Sequence, residues 1–386
     1  MTQNGFDVPL DTLRLRTSEK WRAYPPDVLP AWVAEMDFAL APPIRAALER
    51  ALDLGDTGYA WPGELATAFA QFAAAEFDWH VDPEFVFQVP DVMAGISQAI
   101  LAFTDADAGV VINPPVYAPF FEVLRTLGRR ALHAPLSRDE AGRWHIDFDA
   151  LEKAFASGAQ AYVLCSPHNP VGRVWSDADL GRLCELAQRY GVALIADEIH
   201  APLTLSGARF VPLLSTASEA VRCVSVMSAS KAWNLAGLKC AVLIAGSQAV
   251  RARMNAHLEA IPTEIASRVG QFGVIASIGA FREGRAWLHD LQAHLSANRA
   301  LLTDLLREKL PSARCVPSEA TYLAWVDCSG LELAEEPARY FRGKGRVALE
   351  PGAKYGTGGE KYVRLNFGTS SEILREIVDR MARTPR

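Results

Sequence analysis

Short apolar runs alternate with stretches of helical periodicity through the middle of the chain. Four of these runs have the length and composition of buried strands: 161–166, 192–199, 221–227 and 240–245. Short apolar strands joined by helical or looped crossovers are typical of a mostly parallel sheet that is covered on both faces. The pattern therefore predicts an α/β fold for this part of the chain.

The crossover between the first two of these strands carries clear helix signals. Ser176 is placed to cap a helix that runs to Tyr190, with Asp179 in position for a capping box and Gly191 as the terminator. Two further helices and a short strand are expected upstream: 63–78, 92–104 and 110–113. These elements extend the α/β pattern toward the N-terminus.

The pattern changes after about residue 280. A long helix, three short strands and a final helix are expected there: 286–310, strands near 321–327, 346–349 and 362–366, and 371–383. This order is typical of a smaller α+β domain. The first 45 residues have no clear period and several prolines, so we expect them to cross the surface or join that domain. The predicted parts are an N-terminal segment joining the small domain at 1–45, a large domain at 46–285 and a small C-terminal domain at 286–386.

Composition and charge argue against several classes of protein. The chain has 386 residues, 50% of them apolar, and a formal net charge of −6 without a Lys/Arg-rich block. This balance argues against a nucleic-acid-binding protein. No apolar run approaches the roughly 18 residues needed to span a bilayer, and the first ten residues do not resemble a secretory signal. Six cysteines form no CxxC pair, which favours reduced thiols in a cytoplasmic protein.

Polar residues suited to chemistry follow three of the predicted strands. Asn169 stands between two prolines after the first strand, Asp197 lies near the end of the second, and Lys231 follows the third. Ligands of open α/β sheets bind beyond the carboxyl ends of the strands. A rigid amide suits a fixed hydrogen bond, and a carboxylate suits a cationic ring nitrogen. Lys231, with its neighbouring hydroxyls and Lys239 eight residues on, suits a phosphate-bearing partner.

Each of these residues has a structural alternative when it is taken alone. Lys231 is compatible with a solvated lysine at a strand end, and Asp197 with a cap of the following turn. Asn169 is compatible with an ordinary Asn-Pro turn. Three such residues after three separate strands are much less expected by chance than one. The combination therefore favours a shared site.

Together with Arg364, these residues resemble the fold-type I enzymes that use pyridoxal 5′-phosphate (PLP), the class I/II aminotransferase superfamily. The similarity covers nearly the whole chain and implies an aspartate aminotransferase-like fold. Two strings are more specific: WVAEMDF at 32–38 and PHNPVGRVW at 167–175. They resemble the cystathionine beta-lyase, or C–S lyase, subgroup of the MalY/PatB type.

The resemblance implies a role for each matching residue. Lys231 would bind PLP covalently, Asp197 would pair with the pyridine nitrogen, and Asn169 would pair with the ring hydroxyl. Tyr117 would stack on the ring, and Arg364 would hold the substrate α-carboxylate through two hydrogen bonds. Lys231, Tyr117 and Asp197 are thus the expected catalytic residues, while Arg364, Tyr117 and Asn169 are the expected substrate contacts.

A second group of residues matches the family's phosphate-binding positions. The backbone N–H groups of Val92 and Met93 begin a helix after Pro90-Asp91 and are placed to meet the phosphate. Ser228, Ser230 and Lys239 would complete the phosphate site. The cofactor implied by the resemblance is therefore anchored at both its ring and its phosphate.

The resemblance also concerns residues around this set. Tyr59 matches a tyrosine that reaches the phosphate of the neighbouring subunit, which implies a homodimer with shared active sites. His200 is expected to tune the cofactor or, as we favour, to support it through an intervening hydrogen bond. Two departures from the family pattern, Pro202 and Ala232-Trp233, leave the cofactor residues intact and are expected to alter the shape of the pocket.

The implied reaction is β-elimination of L-cystathionine or another S-substituted cysteine to a thiol, pyruvate and ammonia, with Lys231 as the base at Cα. An aminotransferase that uses the same residues is the alternative within the superfamily. A PLP-binding regulator that docks another protein is the alternative from a different class, and the intact set of site residues disfavours it. No metal, nucleic-acid or membrane partner is expected.

Overall fold

The computed structural model describes residues 5–61, 63–262 and 268–383, and a seven-stranded sheet forms its centre. The strands follow one another along the chain as β1 Leu29–Pro30, β2 Val86–Val89, β3 Gly109–Ile112, β4 Arg130–His133, β5 Ser137–Arg138, β6 Trp144–His145, β7 Ala159–Cys165, β8 Ala193–Asp197, β9 Cys223–Met227, β10 Ala241–Ala245, β11 Arg314–Cys315, β12 Leu323–Asp327, β13 Val347–Ala348, β14 Glu350–Pro351 and β15 Tyr362–Asn366. The central sheet has the order β2-β10-β9-β8-β7-β3-β4, and β10 alone runs opposite to its neighbours. The predicted α/β fold with a mostly parallel sheet is confirmed.

Helices cover both faces of this central sheet, and others pack against the smaller sheet of the C-terminal part. The α-helices are α1 Leu10–Leu13, α2 Glu19–Arg22, α3 Pro42–Asp53, α4 Leu65–Phe77, α5 Val92–Phe103, α6 Pro119–Thr126, α7 Phe148–Ala156, α8 Asp177–Tyr190, α9 Leu213–Thr216, α10 Ala229–Ala232, α11 Gln248–Glu259, α12 Gln271–Glu283, α13 Arg285–Lys309, α14 Pro337–Tyr340 and α15 Ser371–Ala382. Shorter turns are 3₁₀ at Pro83–Phe85, Ala201–Leu203, Ala236–Leu238, Ser329–Leu331 and Gly352–Tyr355, and π-helical at Phe341–Gly345. Within the described ranges, no helix is both long and apolar enough to cross a membrane.

The register of the central strands brings three loops to one edge of the sheet. Cys165 at the end of β7 pairs with Asp197 at the end of β8, and Asp197 pairs with Val226 near the end of β9. These three strands run parallel, so the segments that follow them leave the sheet side by side. Asn169 and Lys231 lie in two of these segments, which explains how residues far apart in sequence meet.

The elements that were predicted agree with the structure to within a few residues, whereas helices α3, α6, α7, α11 and α12 and several short strands were not predicted. The capping box predicted for α8 is present, with Ser176 and Asp179 bonded reciprocally and Gly191 left-handed after the last turn. The strands β2 and β4 were not predicted. All four residues of β4 are at least partly exposed, as expected for an edge strand without an apolar run. Periodicity thus identifies the buried strands and misses the sheet's margins.

A four-stranded antiparallel sheet, in the order β11-β12-β15-β14, forms the core of the C-terminal part. The long helix α13 packs against the final helix α15 beside it. The N-terminal segment reaches this region, because β1 pairs in parallel with β13. The domain limits at residues 45 and 285 remain predictions from the sequence.

Nothing in the sequence marks Trp32, Trp61 and Trp233 as a recognition site, so we expect all three to be packing residues, and the structure places them differently. Trp233 is completely buried, and its indole Nε1 donates to Gly284 O at 3.2 Å. Trp32 is half-buried beside the ring of Tyr24. Trp61 is 78% exposed, so it does not pack within this chain as expected.

Candidate active site

A cavity of about 340 Å³ lies beyond the carboxyl ends of β7, β8 and β9. Its wall includes nine of the residues predicted from the sequence: Val92, Met93, Tyr117, Asn169, Asp197, His200, Ser230, Lys231 and Lys239. Its volume is in the ordinary range for a small-molecule site. The fold therefore assembles most of the predicted cofactor residues around one space.

Lys231 occupies the end of this cavity on the short helix α10. Its Nζ donates to Ala34 O at 2.9 Å. Burial and the nearby Arg364 guanidinium lower its pKa to about 8, although Asp197 and Glu35 act in the opposite direction. A lysine with such a pKa has a substantial neutral fraction near neutral pH, so its amine can act as a nucleophile and as a base.

Asp197 lies on the cavity wall at the end of β8 and is only 5% exposed. Its Oδ1 accepts a hydrogen bond from the backbone N–H of Ile199 at 3.2 Å. Burial raises its pKa to about 7, while the Ile199 N–H and the charge of Lys231 favour the ionised form. A cationic group placed beside this carboxyl would complete its ionisation, because an opposite charge stabilises the carboxylate.

Arg364 links two sides of the site and is 4% exposed. Its Nη1 donates to Asn169 Oδ1 at 3.2 Å, and its Nη2 donates to Trp32 O at 2.9 Å. Its Nε is buried and has no hydrogen-bond partner among the described residues. The guanidinium also lies over the ring of Tyr355, 5.3 Å from its centroid. The amide NH₂ of Asn169 donates to none of the described residues, so it remains available to the cavity.

The opposite end of the cavity is rich in hydrogen-bond donors. Helix α5 begins there, and the first N–H groups of a helix have no partner inside the helix. Ser230 and Lys239 lie on the same side. Lys239 Nζ contacts Asp91 Oδ2 at 2.6 Å, while Asp91 Oδ1 accepts from Ala94 N at 2.8 Å. Sequence reasoning missed Asp91, although an aspartate directly before a helix is a known N-cap signal.

Ser228 was predicted as a cofactor contact, and it does not line the described cavity wall. Its hydroxyl donates to Cys240 O at 2.6 Å and accepts from the backbone N–H of Ser230 at 3.0 Å. The bond from Ser230 N–H makes Ser228 the N-cap of α10. Ser228 therefore fixes the helix that carries Ser230 and Lys231, and it reaches the cavity through them.

His200 and Tyr117 line the cavity as predicted, and both are held in their neutral forms. Burial, together with the charges of Lys231 and Arg364, lowers the pKa of His200 to about 3. Burial raises the pKa of Tyr117 to about 12, and Asp197 contributes in the same direction. Neither side chain therefore changes its charge near neutral pH.

Tyr59 lies away from the cavity of its own chain. It is 85% exposed, and the guanidinium of Arg268 lies 4.3 Å from the centroid of its ring. The departures from the family pattern, Pro202 and Ala232-Trp233, are buried and do not belong to the described cavity wall. Their expected influence on the shape of the pocket can therefore only be indirect.

The backbone of residues 32–37, which we name the strap, closes the site on the side facing the C-terminal part. Ala34 O accepts from Lys231 Nζ and from Tyr322 OH, both at 2.9 Å. Val33 O and Glu35 O each accept from Asn366 Nδ2 at 2.7 Å. The strap was not foreseen as part of the site, because it contributes backbone carbonyls rather than reactive side chains.

A buried ion pair anchors the strap. Lys20 Nζ lies 2.8 Å from Asp37 Oδ2, with the two side chains 1% and 3% exposed, and it also donates to Glu35 O at 3.0 Å. Trp21 Nε1 donates to Asp37 Oδ1 at 3.1 Å. The Lys20-Trp21 dipeptide and the WVAEMDF string therefore act as one structural unit that places Ala34 O against Lys231.

Comparison with known proteins agrees with this geometry. The family model described as aminotransferase class I and II matches residues 35–381, which is most of the chain. The chain belongs to this family. The membership confirms the resemblance inferred from Asn169, Asp197, Lys231 and Arg364.

Three proteins that are similar to this chain have names that refer to C–S lyase chemistry. A candidate cystathionine beta-lyase of Mycobacterium leprae is 46% identical, covering 99% of this chain and 98% of its own. The cystathionine beta-lyase PatB of Bacillus subtilis is 37% identical, covering 91% and 90%. The crystal structure of a candidate PLP-dependent beta-cystathionase of Corynebacterium diphtheriae is 36% identical, covers 98% and 99%, and superposes with a TM-score of 0.92.

Proposed function

We propose that this chain is a PLP-dependent carbon–sulfur lyase that acts on L-cystathionine or a related S-substituted cysteine. The reaction is R–S–CH₂–CH(NH₃⁺)–COO⁻ + H₂O → R–SH + CH₃–CO–COO⁻ + NH₄⁺. The observation that carries the proposal is one cavity. Lys231, whose amine has a lowered pKa, lines it together with Asp197 and with Asn169, which is hydrogen-bonded to Arg364. The names of the similar proteins point to the same chemistry.

The residues around the cavity fit PLP. A phosphate suits the donor-rich end formed by the start of α5, Ser230 and Lys239. A protonated pyridine nitrogen suits the buried carboxyl of Asp197, and the ring hydroxyl suits the free amide of Asn169. Lys231 supplies the amine that an aldehyde requires. We assign these four roles on the chemistry of the donors.

Each protein group has a separate task in the elimination. When bound, PLP supplies an electron sink for the charge that develops at Cα. Lys231 removes the Cα proton, and the hydrogen bond to Ala34 O gives its free amine a fixed resting position. Arg364 holds the substrate α-carboxylate, and Asp197 keeps a proton on the ring nitrogen. Expulsion of the thiolate from Cβ then needs no further acid from the protein.

Product analysis distinguishes the lyase from an aminotransferase and from a regulator. The purified holoenzyme is incubated with L-cystathionine and, separately, with an amino acid plus 2-oxoglutarate. Release of pyruvate and thiol without formation of glutamate is the expected result. Glutamate without pyruvate would show the aminotransferase, and PLP binding without either product would favour a regulatory protein.

We further propose a homodimer with shared active sites. Tyr59 and Trp61 lie on the same loop and are 85% and 78% exposed. Large aromatic side chains are seldom exposed together on a surface that contacts only solvent. A second subunit that covers this loop would bury both rings. Tyr59 would then be free to reach the phosphate end of the partner's cavity.

Mixed dimers test the shared site. Inactive Lys231→Ala subunits are combined with Tyr59→Phe subunits, provided that the latter are strongly impaired when alone. One site of each heterodimer then carries both changes and the other carries none, so activity should return to about half of the wild-type value per dimer. No gain after verified subunit exchange, or a fully active monomer in sedimentation, would contradict the proposal.

A cytoplasmic location is also proposed. All six cysteines are free thiols, and Cys315 is the only one that is not fully buried. Unpaired thiols are typical of a reducing compartment. Cell fractionation with an antibody against the native chain would test the location.

A further inference from the structure

The cofactor cavity continues into a second chamber of about 770 Å³. Ala34, Tyr117 and Lys231 line both spaces, so the two are contiguous. Arg364 lines the second chamber at this inner end, where its buried Nε has no hydrogen-bond partner in the described ranges. The inner end is therefore cationic and suits the α-carboxylate of a substrate.

The remaining wall of this chamber is acidic. Glu19 on α2, Glu122 on α6 and Glu350 on β14 contribute carboxylates, and Lys354 contributes one ammonium group. Lys354 Nζ lies 2.9 Å from Glu350 Oε1, so these two charges compensate each other. In the described part of the chain, neither Glu19 nor Glu122 forms an ion pair. The outer wall therefore carries two uncompensated negative charges.

Apolar side chains also contribute to the chamber wall. Trp32, Ala118, Pro119 and Phe121 are the main members. Such a surface suits the sulfur atom and the methylene groups of a thioether. The chamber thus combines a cationic inner end, an apolar surface and an acidic outer wall.

We propose that this chamber binds the distal arm of the thioether and selects arms that carry an ammonium group, with Glu19 and Glu122 as the specificity-determining residues. The inference rests on the proposed lyase function and names its substrate class. In L-cystathionine or L-cystine, the distal ammonium would face Glu19 and Glu122, while the distal carboxylate would face Lys354. An arm that carries only a negative charge would be repelled.

A charge series of substrates tests the proposal on the holoenzyme. S-(2-aminoethyl)-L-cysteine, S-propyl-L-cysteine and S-(2-carboxyethyl)-L-cysteine have arms of similar size with positive, no and negative charge. We expect kcat/KM to fall in that order. Each substrate is measured with the wild type, Glu122→Gln, Glu19→Gln, the double variant and Glu140→Gln, an exposed glutamate outside the chamber.

The informative quantity is the ratio of kcat/KM between the cationic and the neutral arm. Each single substitution should lower this ratio by about threefold and the double variant by about tenfold, as expected for solvent-facing charge pairs. The neutral substrate should change by less than about twofold, and high salt should weaken the wild-type preference. Glu140→Gln should leave the ratio unchanged.

Two outcomes overturn the inference in different ways. In the first, all three substrates release pyruvate, and the ratio of kcat/KM between the cationic and neutral arms is the same in the wild type and the double variant. This result would show that the chamber does not discriminate between arms by their charge. The lyase function would survive that result. Absence of pyruvate from every substrate, including L-cystathionine, would overturn the proposed function and this inference with it.

Discussion

The cofactor wall of the active site and the strap that faces it are built on different parts of the sequence. The cofactor wall comes from loops that follow three parallel strands, and each of its key residues lies within a short recognisable string. The strap is anchored by the nearby Lys20, and its carbonyl groups also accept hydrogen bonds from side chains up to 333 positions away, such as those of Lys231 and Asn366. One wall is therefore defined locally, whereas the other is completed only by distant parts of the chain.

The two walls also use their buried charges differently. Asp197 forms no ion pair with the described residues, and burial raises its pKa to about 7, which keeps it ready for a cationic ligand. Lys20 and Asp37 are buried as a pair and satisfy each other. A buried group with a strongly shifted pKa is typical of chemistry, and a buried ion pair is typical of architecture. Substitutions in the two walls should therefore separate turnover from stability.

The largest effect is expected from Lys231→Ala in the cofactor wall. Loss of the base should reduce pyruvate formation by at least about 10³-fold, in the range known for general acid–base catalysis. The visible absorption band of the holoenzyme should also be lost, while the melting temperature stays close to that of the wild type. Lys153→Ala, which changes an exposed lysine on α7, should keep both the band and the activity. An unchanged band in Lys231→Ala would remove Lys231 from its role.

A smaller loss is expected from Asp197→Asn, which keeps the shape of the side chain and removes its charge. Turnover should fall about 10²- to 10³-fold, as for the removal of one preorganised electrostatic group. PLP should still bind, which absorbance after gel filtration would show. Asp149→Asn on the surface of α7 is the matched control. Turnover of Asp197→Asn within tenfold of the wild type would argue against a charge on the ring nitrogen.

At the anchor of the strap, Lys20→Met should reduce the stability of the fold more than it reduces turnover. It leaves Asp37 buried without its partner, which should cost about 3–5 kcal/mol of unfolding free energy. Turnover per folded molecule should fall by less than the cofactor-wall variants. Denaturant unfolding measures the first effect, with Lys344→Met at an exposed lysine as the control.

A double substitution sharpens this test. Lys20→Met combined with Asp37→Leu removes both charges and should recover part of the lost stability, because an apolar pair replaces an uncompensated carboxylate. If the single variant unfolds within about 1 kcal/mol of the wild type, the ion pair does not anchor the strap.

The smallest effect is a shift in the pH dependence of cofactor loading. Only the neutral amine of Lys231 reacts with an aldehyde, and its pKa is lowered from 10.5 to about 8. The rate at which the apoprotein gains its absorption band should therefore rise with pH around a midpoint near 8. Arg364→Gln should raise this midpoint, because Arg364 lowers the pKa, and Asp197→Asn should lower it. Shifts with the opposite signs would contradict the assigned electrostatics.

The sequence predicts the cofactor wall well because its information is local. Asn169 between two prolines and Asp197 at a strand end are visible in strings of a few residues, and the capping signals of α8 are equally short. Arg364 could be identified only through family resemblance, since nothing in its neighbourhood distinguishes it from a structural arginine. The roles of these residues remain predictions, although the structure gathers them around one cavity.

The strap carbonyls, the capping role of Ser228 and the surroundings of Tyr59 could not be predicted, because they depend on backbone atoms and on distant partners. Ala34 contributes a carbonyl oxygen, and every residue has one, so no pattern marks it. Ser228 has the right residue type, but its hydroxyl is used to cap α10. Tyr59 acquires a role only if a second subunit covers it, which a single chain does not contain.

The contacts of the strap determine when each wall of the active site can be completed during synthesis of the chain. Its residues leave the ribosome early, whereas the donors Tyr322, Arg364 and Asn366 are made near the end. A nascent chain that has reached residue 321 already contains all seven strands of the central sheet. It still has no donors from β15 for the carbonyl groups of residues 32, 33 and 35. The cofactor wall can therefore form during translation, but the strap gains all its hydrogen-bond donors only after residue 366 has been added.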